Sequence, residues 1–194
     1  DRVKGYKSFT NKIWNAANFL NINQVLFIDS LDNEKISLDT SKWILKEYQN
    51  VQAEYFKNIE KYQFHEIASL IYHFTWHTFC DWYIEFIKSD FANDEKSEET
   101  KKVSGWIFIQ ILKLLHPIMP FITEKLWLSL VDSQSFLMSQ NFTEISFDNS
   151  FNDSNKYTKK VIEMMTALRN LRANLNISYK NEIEIFVETK NEDL

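Results

Sequence analysis

The side chains best suited to chemistry crowd into one stretch, residues 72–88 (YHFTWHTFCDWYIEFIK). His73 and His77 stand four apart, a spacing that places two imidazoles on one helix face, as zinc ligands are placed. His-Phe-Thr-Trp-His lacks the glutamate base of a metalloprotease, however, and no third ligand is in view, so packing or capping histidines are the preferred reading. Cys80 lies near His77, as a nucleophile would, but a thiol on so bulky an apolar helix reads as buried and inert. Asp81, among Phe79, Trp82 and Tyr83, is costly to bury unless paired. The expectation is a cationic or hydrogen-bonding partner from another helix, the first being the candidate, which makes Asp81 a strut. A general acid or base with a raised pKa is the alternative, and it lacks a second catalytic group. His116, before Pro117, reads as a residue at a helix end interacting with the dipole. Two glycines cannot build a phosphate-binding loop, and no serine sits in a Gly-x-Ser-x-Gly elbow. No catalytic, metal or cofactor site is therefore expected.

Binding chemistry is carried by charge placement. The net charge of −5 argues against a nucleic-acid partner, but its distribution does not. Residues 1–20 carry a local +3, residues 156–180 a local +5, and residues 90–99 a local −4. Basic faces at both ends and an acidic loop elsewhere suit a polyanion docking on one side. Plain solvated helix surface is the competing reading of the same charges.

The elements that must position these residues are helices. Two Gly and two Pro in 194 residues are too few for a turn-rich fold, and 15% aromatic residues suffice for a large core. One cysteine excludes a disulfide framework and fits a reducing cytosol. No apolar run reaches the roughly 18 residues needed to cross a bilayer. The chain opens on Asp1 inside a helical pattern, which reads as a fragment cut from a longer protein. The bias toward Asn, Lys, Ile and Phe fits an AT-rich genome.

The first helix spans residues 2–20, with Tyr6, Phe9, Ile13, Trp14, Ala17 and Leu20 as its apolar face. A long polar connection with an apolar knot at 25–28 is expected to lie over the surface. Asp39, Thr40 and Ser41 offer N-cap oxygens to a second helix, whose apolar residues are Ile44, Tyr48, Val51, Tyr55, Ile59 and Tyr62. After a break at Gln63 the third helix, 65–89, has apolar residues on every side and is expected to be the central helix of a bundle. Residues 90–99 are expected to be a loop, with a fourth helix from near Thr100 to Pro117. Pro120 suits the first turn of the next helix, buried through Phe121, Ile122, Leu126, Trp127 and Leu130. Residues 132–155 read as a surface loop with a brief strand at 145–147. A last helix, 156–173, is buried through Val161, Met164, Met165, Leu168 and Leu171, and a short strand follows at 182–188.

Four segments together resemble one family. Asn11-Lys-Ile-Trp-Asn-Ala-Ala-Asn-Phe19 is similar to the segment that follows the catalytic domain in class I aminoacyl-tRNA synthetases of the valine/isoleucine/leucine group. Leu114-Leu-His-Pro-Ile-Met-Pro-Phe-Ile-Thr-Glu-Lys-Leu-Trp127 resembles the hallmark of their helical anticodon-binding domain. Phe79-Cys-Asp-Trp-Tyr83 and Arg169-Asn-Leu-Arg-Ala-Asn-Leu-Asn-Ile-Ser178 resemble the valyl-tRNA synthetases within that group. The family often has Arg where this chain has Asn18, and Pro where it has Tyr179. The two ATP-site signatures of class I synthetases are absent from these residues.

The resemblance implies a mainly α helical bundle over residues 1–174, with 175–194 starting a small α/β appendage. It implies tRNA(Val) and the catalytic domain of the same chain as partners, no membrane, and a cytoplasmic parent enzyme that attaches valine to tRNA using ATP with Mg. The piece itself would be inactive and without cofactor. In such a domain Arg2, Lys4, Lys7 and Lys12 would hold phosphates, and Asn15 and Asn18 would meet base edges. Phe19 would stack a base or pack in the core, and Trp14 and Trp127 are expected in the core. Arg169 and Arg172, three apart, present two cations on one side or brace the junction with the catalytic domain. The isoleucyl enzyme's domain and a helical protein-interaction module without RNA binding are the alternatives.

Overall fold

The computed structural model describes residues 2–32, 35–131, 135–142, 145–147, 151–178 and 180–186, with residues 2–4 and 6 described through their backbone alone. The chain is mainly helical: α1 (Arg2–Ile22), α2 (Asp39–Glu60), α3 (Phe64–His73), α4 (Ile84–Ile87), α5 (Asp94–Leu115), α6 (Pro120–Leu130) and α7 (Phe151–Asn174). Between α3 and α4 the backbone runs on as a π-helix, Phe74–Tyr83, so residues 64–87 form one rod. The chain divides into two compact units, residues 1–158 and 159–194.

The bundle's axis is α5, which corrects the expectation that the 72–88 stretch holds that place. Every residue of 103–115 is buried, including Ser104, Gly105, Gln110 and Lys113. The 64–87 rod leaves His73, His77 and Glu85 exposed. Its aromatic rings reach three helices. Tyr72 meets Phe9 of α1 at 4.9 Å, Phe86 meets Trp43 of α2 at 5.8 Å, and Phe79 meets Phe108 of α5 at 6.0 Å.

Over 103–115 the side chains of Ser104, Gln110 and Lys113 are each paired, whereas the buried Thr100 hydroxyl one turn earlier has no partner among the described residues. The Lys113 ammonium, 4% exposed, sits 2.7 and 2.8 Å from the two Asp29 oxygens. Gln110 donates to Asp29 at 3.1 Å and accepts from the Tyr48 hydroxyl at 3.5 Å. Gln52 donates to that hydroxyl at 3.2 Å and accepts from the Ile145 amide at 2.9 Å. Burial pushes the Tyr48 hydroxyl's pKa far up. The described residues of the 23–38 connection lie over the surface, as expected, with Val25 buried, and Asp29 fastens the connection to α5. Gly105 makes this possible, since a Cβ there would stand 2.0 Å from the Leu26 carbonyl oxygen.

Caps account for several shifted boundaries. Helix α5 starts at Asp94, because Asn93 accepts from the Glu95 amide at 3.0 Å and the acidic residues favour a helix N-terminus. The expected acidic loop is therefore a short 3-10 turn, Asp90–Ala92, followed by the first turns of α5. Helix α2 starts at Asp39, as its sequence suggests, without a side-chain cap, and Glu99 holds the two residues that lead into it. That carboxylate accepts from the Ser37 and Leu38 amides at 3.0 and 2.9 Å. Asp39 accepts instead from the Ser154 hydroxyl at 2.7 Å.

Helices α1, α2 and α7 end in the same way. Gln24, Tyr62 and Asn176 take positive φ of 56°, 57° and 53°, and the residue after each donates back to a carbonyl five positions earlier. With two glycines in the chain, other residues fill the left-handed position.

Pro120 opens α6 as expected, but Phe121 is 90% exposed, since the helix turns Thr123, Leu126 and Trp127 to the core. Leu137, Phe147 and Phe151 are buried, so the segment after α6 is anchored by apolar plugs. Residues 145–147 form no strand. Their backbone is held by side chains of α2, with Gln49 donating to the Ile145 carbonyl at 3.4 Å. The expected face of α7 is not a core: Val161, Met165 and Leu168 are half-buried, and Met164 and Leu171 are exposed. Residues 182–186 carry no strand, and 187 and 188 lie outside the described residues.

Candidate nucleic-acid interface

Helix α1 has no acidic residue in Arg2–Ile22. Phe9, Ile13, Ala16, Ala17 and Leu20 bury one side of it against the π segment, α5 and α6. The opposite stripe, Lys7, Asn11, Trp14, Asn15 and Asn18, is exposed. These positions recur at steps of three and four, so they lie along one helix face.

A strut fixes the rotation of that face. The Lys12 ammonium sits 2.6 Å from Asp81 Oδ1 and 5.4 Å from the Trp76 ring centroid. His77 Nδ1 lies 3.2 Å from Asp81 Oδ2. Asp81 therefore has the partner expected of it, from the helix expected, although both side chains remain 34% exposed. The π-helical winding widens the turn that carries Trp76, His77 and Asp81, and α1 lies against it.

The expected contact residues are placed as follows. Lys7, Asn15 and Asn18 are exposed on α1. Lys12 is engaged by Asp81, and the side chains of Arg2 and Lys4 lie outside the described residues. Phe19 is half-buried, with its ring against Phe91 at 5.8 Å in an edge-to-face arrangement. Trp127 is in the core and donates to the Ser135 carbonyl at 2.8 Å, but Trp14 is 40% exposed, against expectation. Its neighbours Ile13 and Ala17 point to the core, which turns position 14 outward. Asn11 and Trp14 were both legible as members of this stripe from their spacing with Lys7 and Asn18. In the second unit, Arg169 and Arg172 are half-buried, and Arg172 donates to the Ser178 carbonyl at 2.7 Å, bracing the turn after α7.

The other reactive side chains are structural. Burial pushes the Cys80 thiol up to about 12, with Lys12 pulling weakly the other way. The His73 and His77 rings stack at 5.5 Å. Among the described residues no group of three metal-ligating side chains comes together, and no helix is long and apolar enough to cross a membrane. His116 makes a 2.8 Å hydrogen bond with Thr123, tying the turn from α5 into α6, and Glu124 accepts from the Leu137 amide at 3.0 Å.

Residues 41–187 match a family model described as the anticodon-binding domain of tRNA ligase. Similar proteins extend the match over α1. The chain is 40% identical to the valine–tRNA ligase of Pelagibacter ubique, with 97% of this chain and 22% of that protein aligned. It is 36% identical to that of Buchnera aphidicola (100% and 21%) and 34% identical to that of Syntrophotalea carbinolica (98% and 22%). The chain thus spans about a fifth of the length of the curated relatives it matches.

Proposed function

This chain belongs to the anticodon-binding domain family of tRNA ligases, and on that premise we propose that it holds the anticodon stem-loop of valine tRNA within a valine–tRNA ligase. The parent enzyme would attach valine to tRNA in the cytoplasm, using ATP and Mg in a catalytic domain of the same protein. Residues 1–174 are the helical domain in this reading, and 175–194 begin a small α/β appendage.

The observation that carries the proposal is α1: a helix without acidic residues, in a chain of net charge −5, that turns amides and a lysine to solvent. Arg2, Lys4 and Lys7 neutralise phosphates, and Lys12 would do so by exchanging its Asp81 partner for a phosphate. Asn15 and Asn18 donate to and accept from base edges, and Phe19 borders them. Arg169 and Arg172 supply a second cationic site in the other unit.

Titration of the parent protein with valine tRNA transcripts, with native or altered anticodons and at two salt concentrations, tests this reading. Binding should weaken with salt and fall about tenfold or more when an anticodon base is changed. Binding indifferent to the anticodon would reduce the interface to general electrostatics.

A further inference from the structure

We infer that Trp14 is the stacking platform for an unpaired base of the bound RNA, which deepens the function proposed above and rests on it. All six tryptophans are described, and Trp14 alone is exposed. Trp43, Trp106 and Trp127 are buried, and Trp76 lies under the Lys12 ammonium. Phe19, the other aromatic residue on the outer half of α1, has its ring engaged by Phe91. Among the described side chains of α1, Trp14 is therefore the aromatic ring with area left for a ligand.

Its surroundings select the ligand. Asn11 lies three residues before it, Asn15 beside it and Asn18 four residues after it, all exposed on the same stripe. A ring bordered by amides offers one base both a stacking surface and edge hydrogen bonds. Lys7, two turns earlier on the same exposed stripe, meets the neighbouring phosphate, and α1 brings no carboxylate to repel it. An apolar protein partner would leave three exposed amides beside the indole to be desolvated.

The test compares Trp14→Ala and Trp14→Phe in the full-length parent protein. It reads binding of valine tRNA and of an acceptor-stem minihelix that lacks the anticodon arm. Trp14→Ala is expected to weaken tRNA binding about 5- to 150-fold and to leave the minihelix unchanged. Trp14→Phe keeps a π-face and is expected to lose about threefold or less. Unchanged tRNA binding by Trp14→Ala would overturn the inference. So would an equal loss on the minihelix, which would mean that Trp14 braces the protein. Anticodon-blind binding by the unmodified protein would overturn the proposed function itself, a result separable from both.

Discussion

The 64–87 rod and α5 have opposite appearances in sequence and opposite places in the bundle. The rod is crowded with aromatic rings and keeps an exposed edge at His73, His77 and Glu85. Helix α5 carries Ser104, Gly105, Gln110 and Lys113 among its apolar residues and is buried on every side over 103–115. Apolar content predicts that a helix is packed, but full burial depends on whether its polar groups find partners and its backbone finds room. Over 103–115 they do, through Asp29, Tyr48 and a glycine against the Leu26 carbonyl.

The sharpest way to break this contrast is Gly105→Ala. The added methyl meets backbone at 2.0 Å and cannot be relieved by a rotamer change, so urea unfolding should show a loss of at least about 3 kcal/mol. Alanine in the exposed edge of the rod, at Glu85, provides the comparison and should stay within about 0.5 kcal/mol. Next comes Asp29→Ala, which strands the Lys113 ammonium at 4% exposure. A loss of about 2–3 kcal/mol is expected, less than for a fully buried pair because Asp29 is half-exposed. Combining it with Lys113→Met should recover most of that loss.

Two tyrosines sharpen the same point. Tyr48→Phe removes a hydroxyl that Gln52 and Gln110 both use, and should cost about 1–2 kcal/mol. Tyr83→Phe in the rod removes a buried hydroxyl with no hydrogen-bond partner, and should be neutral or slightly stabilising in the same unfolding assay. Asp81→Asn breaks a pair whose side chains are each a third exposed. Its cost should be about 0.5–1 kcal/mol at low salt and shrink as salt is raised. Tyr62→Gly should give a small gain of about 0.5 kcal/mol in the same urea unfolding assay, because glycine adopts the positive φ without strain.

Much of the bundle was legible because its signals are local. The buried steps Phe9, Ile13, Ala17 and Leu20 of α1 and Ile44, Tyr48 and Tyr55 of α2, the Pro120 helix start and the inert Cys80 follow from neighbouring residues alone, whereas Ile59 and Tyr62, expected on the same face of α2, are exposed. Asp81's partner was legible too, since a carboxylate in an aromatic helix needs a cation and the first helix had one to offer. What stayed hidden depends on residues distant in sequence. Lys113 finds Asp29 84 positions away, and Leu38, just before α2, donates its amide to a glutamate 61 positions further on. The π-helical winding of Phe74–Tyr83 leaves no periodicity that separates it from an α-helix over ten residues. The outward face of α1 was half legible: Asn15 and Asn18 stood out as amides, while Trp14 was assigned to the core on residue type when its register pointed outward.

The polar line through the bundle has one more consequence, for hydrogen exchange. Ile145 belongs to a loop by backbone geometry, yet its amide is bonded to Gln52, which is bonded to Tyr48, which is bonded to Gln110 inside α5. Fraying of the loop would cost Gln52, 3% exposed, its bond from the Ile145 amide. The Ile145 proton should therefore exchange more slowly than that of a solvent-bonded loop amide.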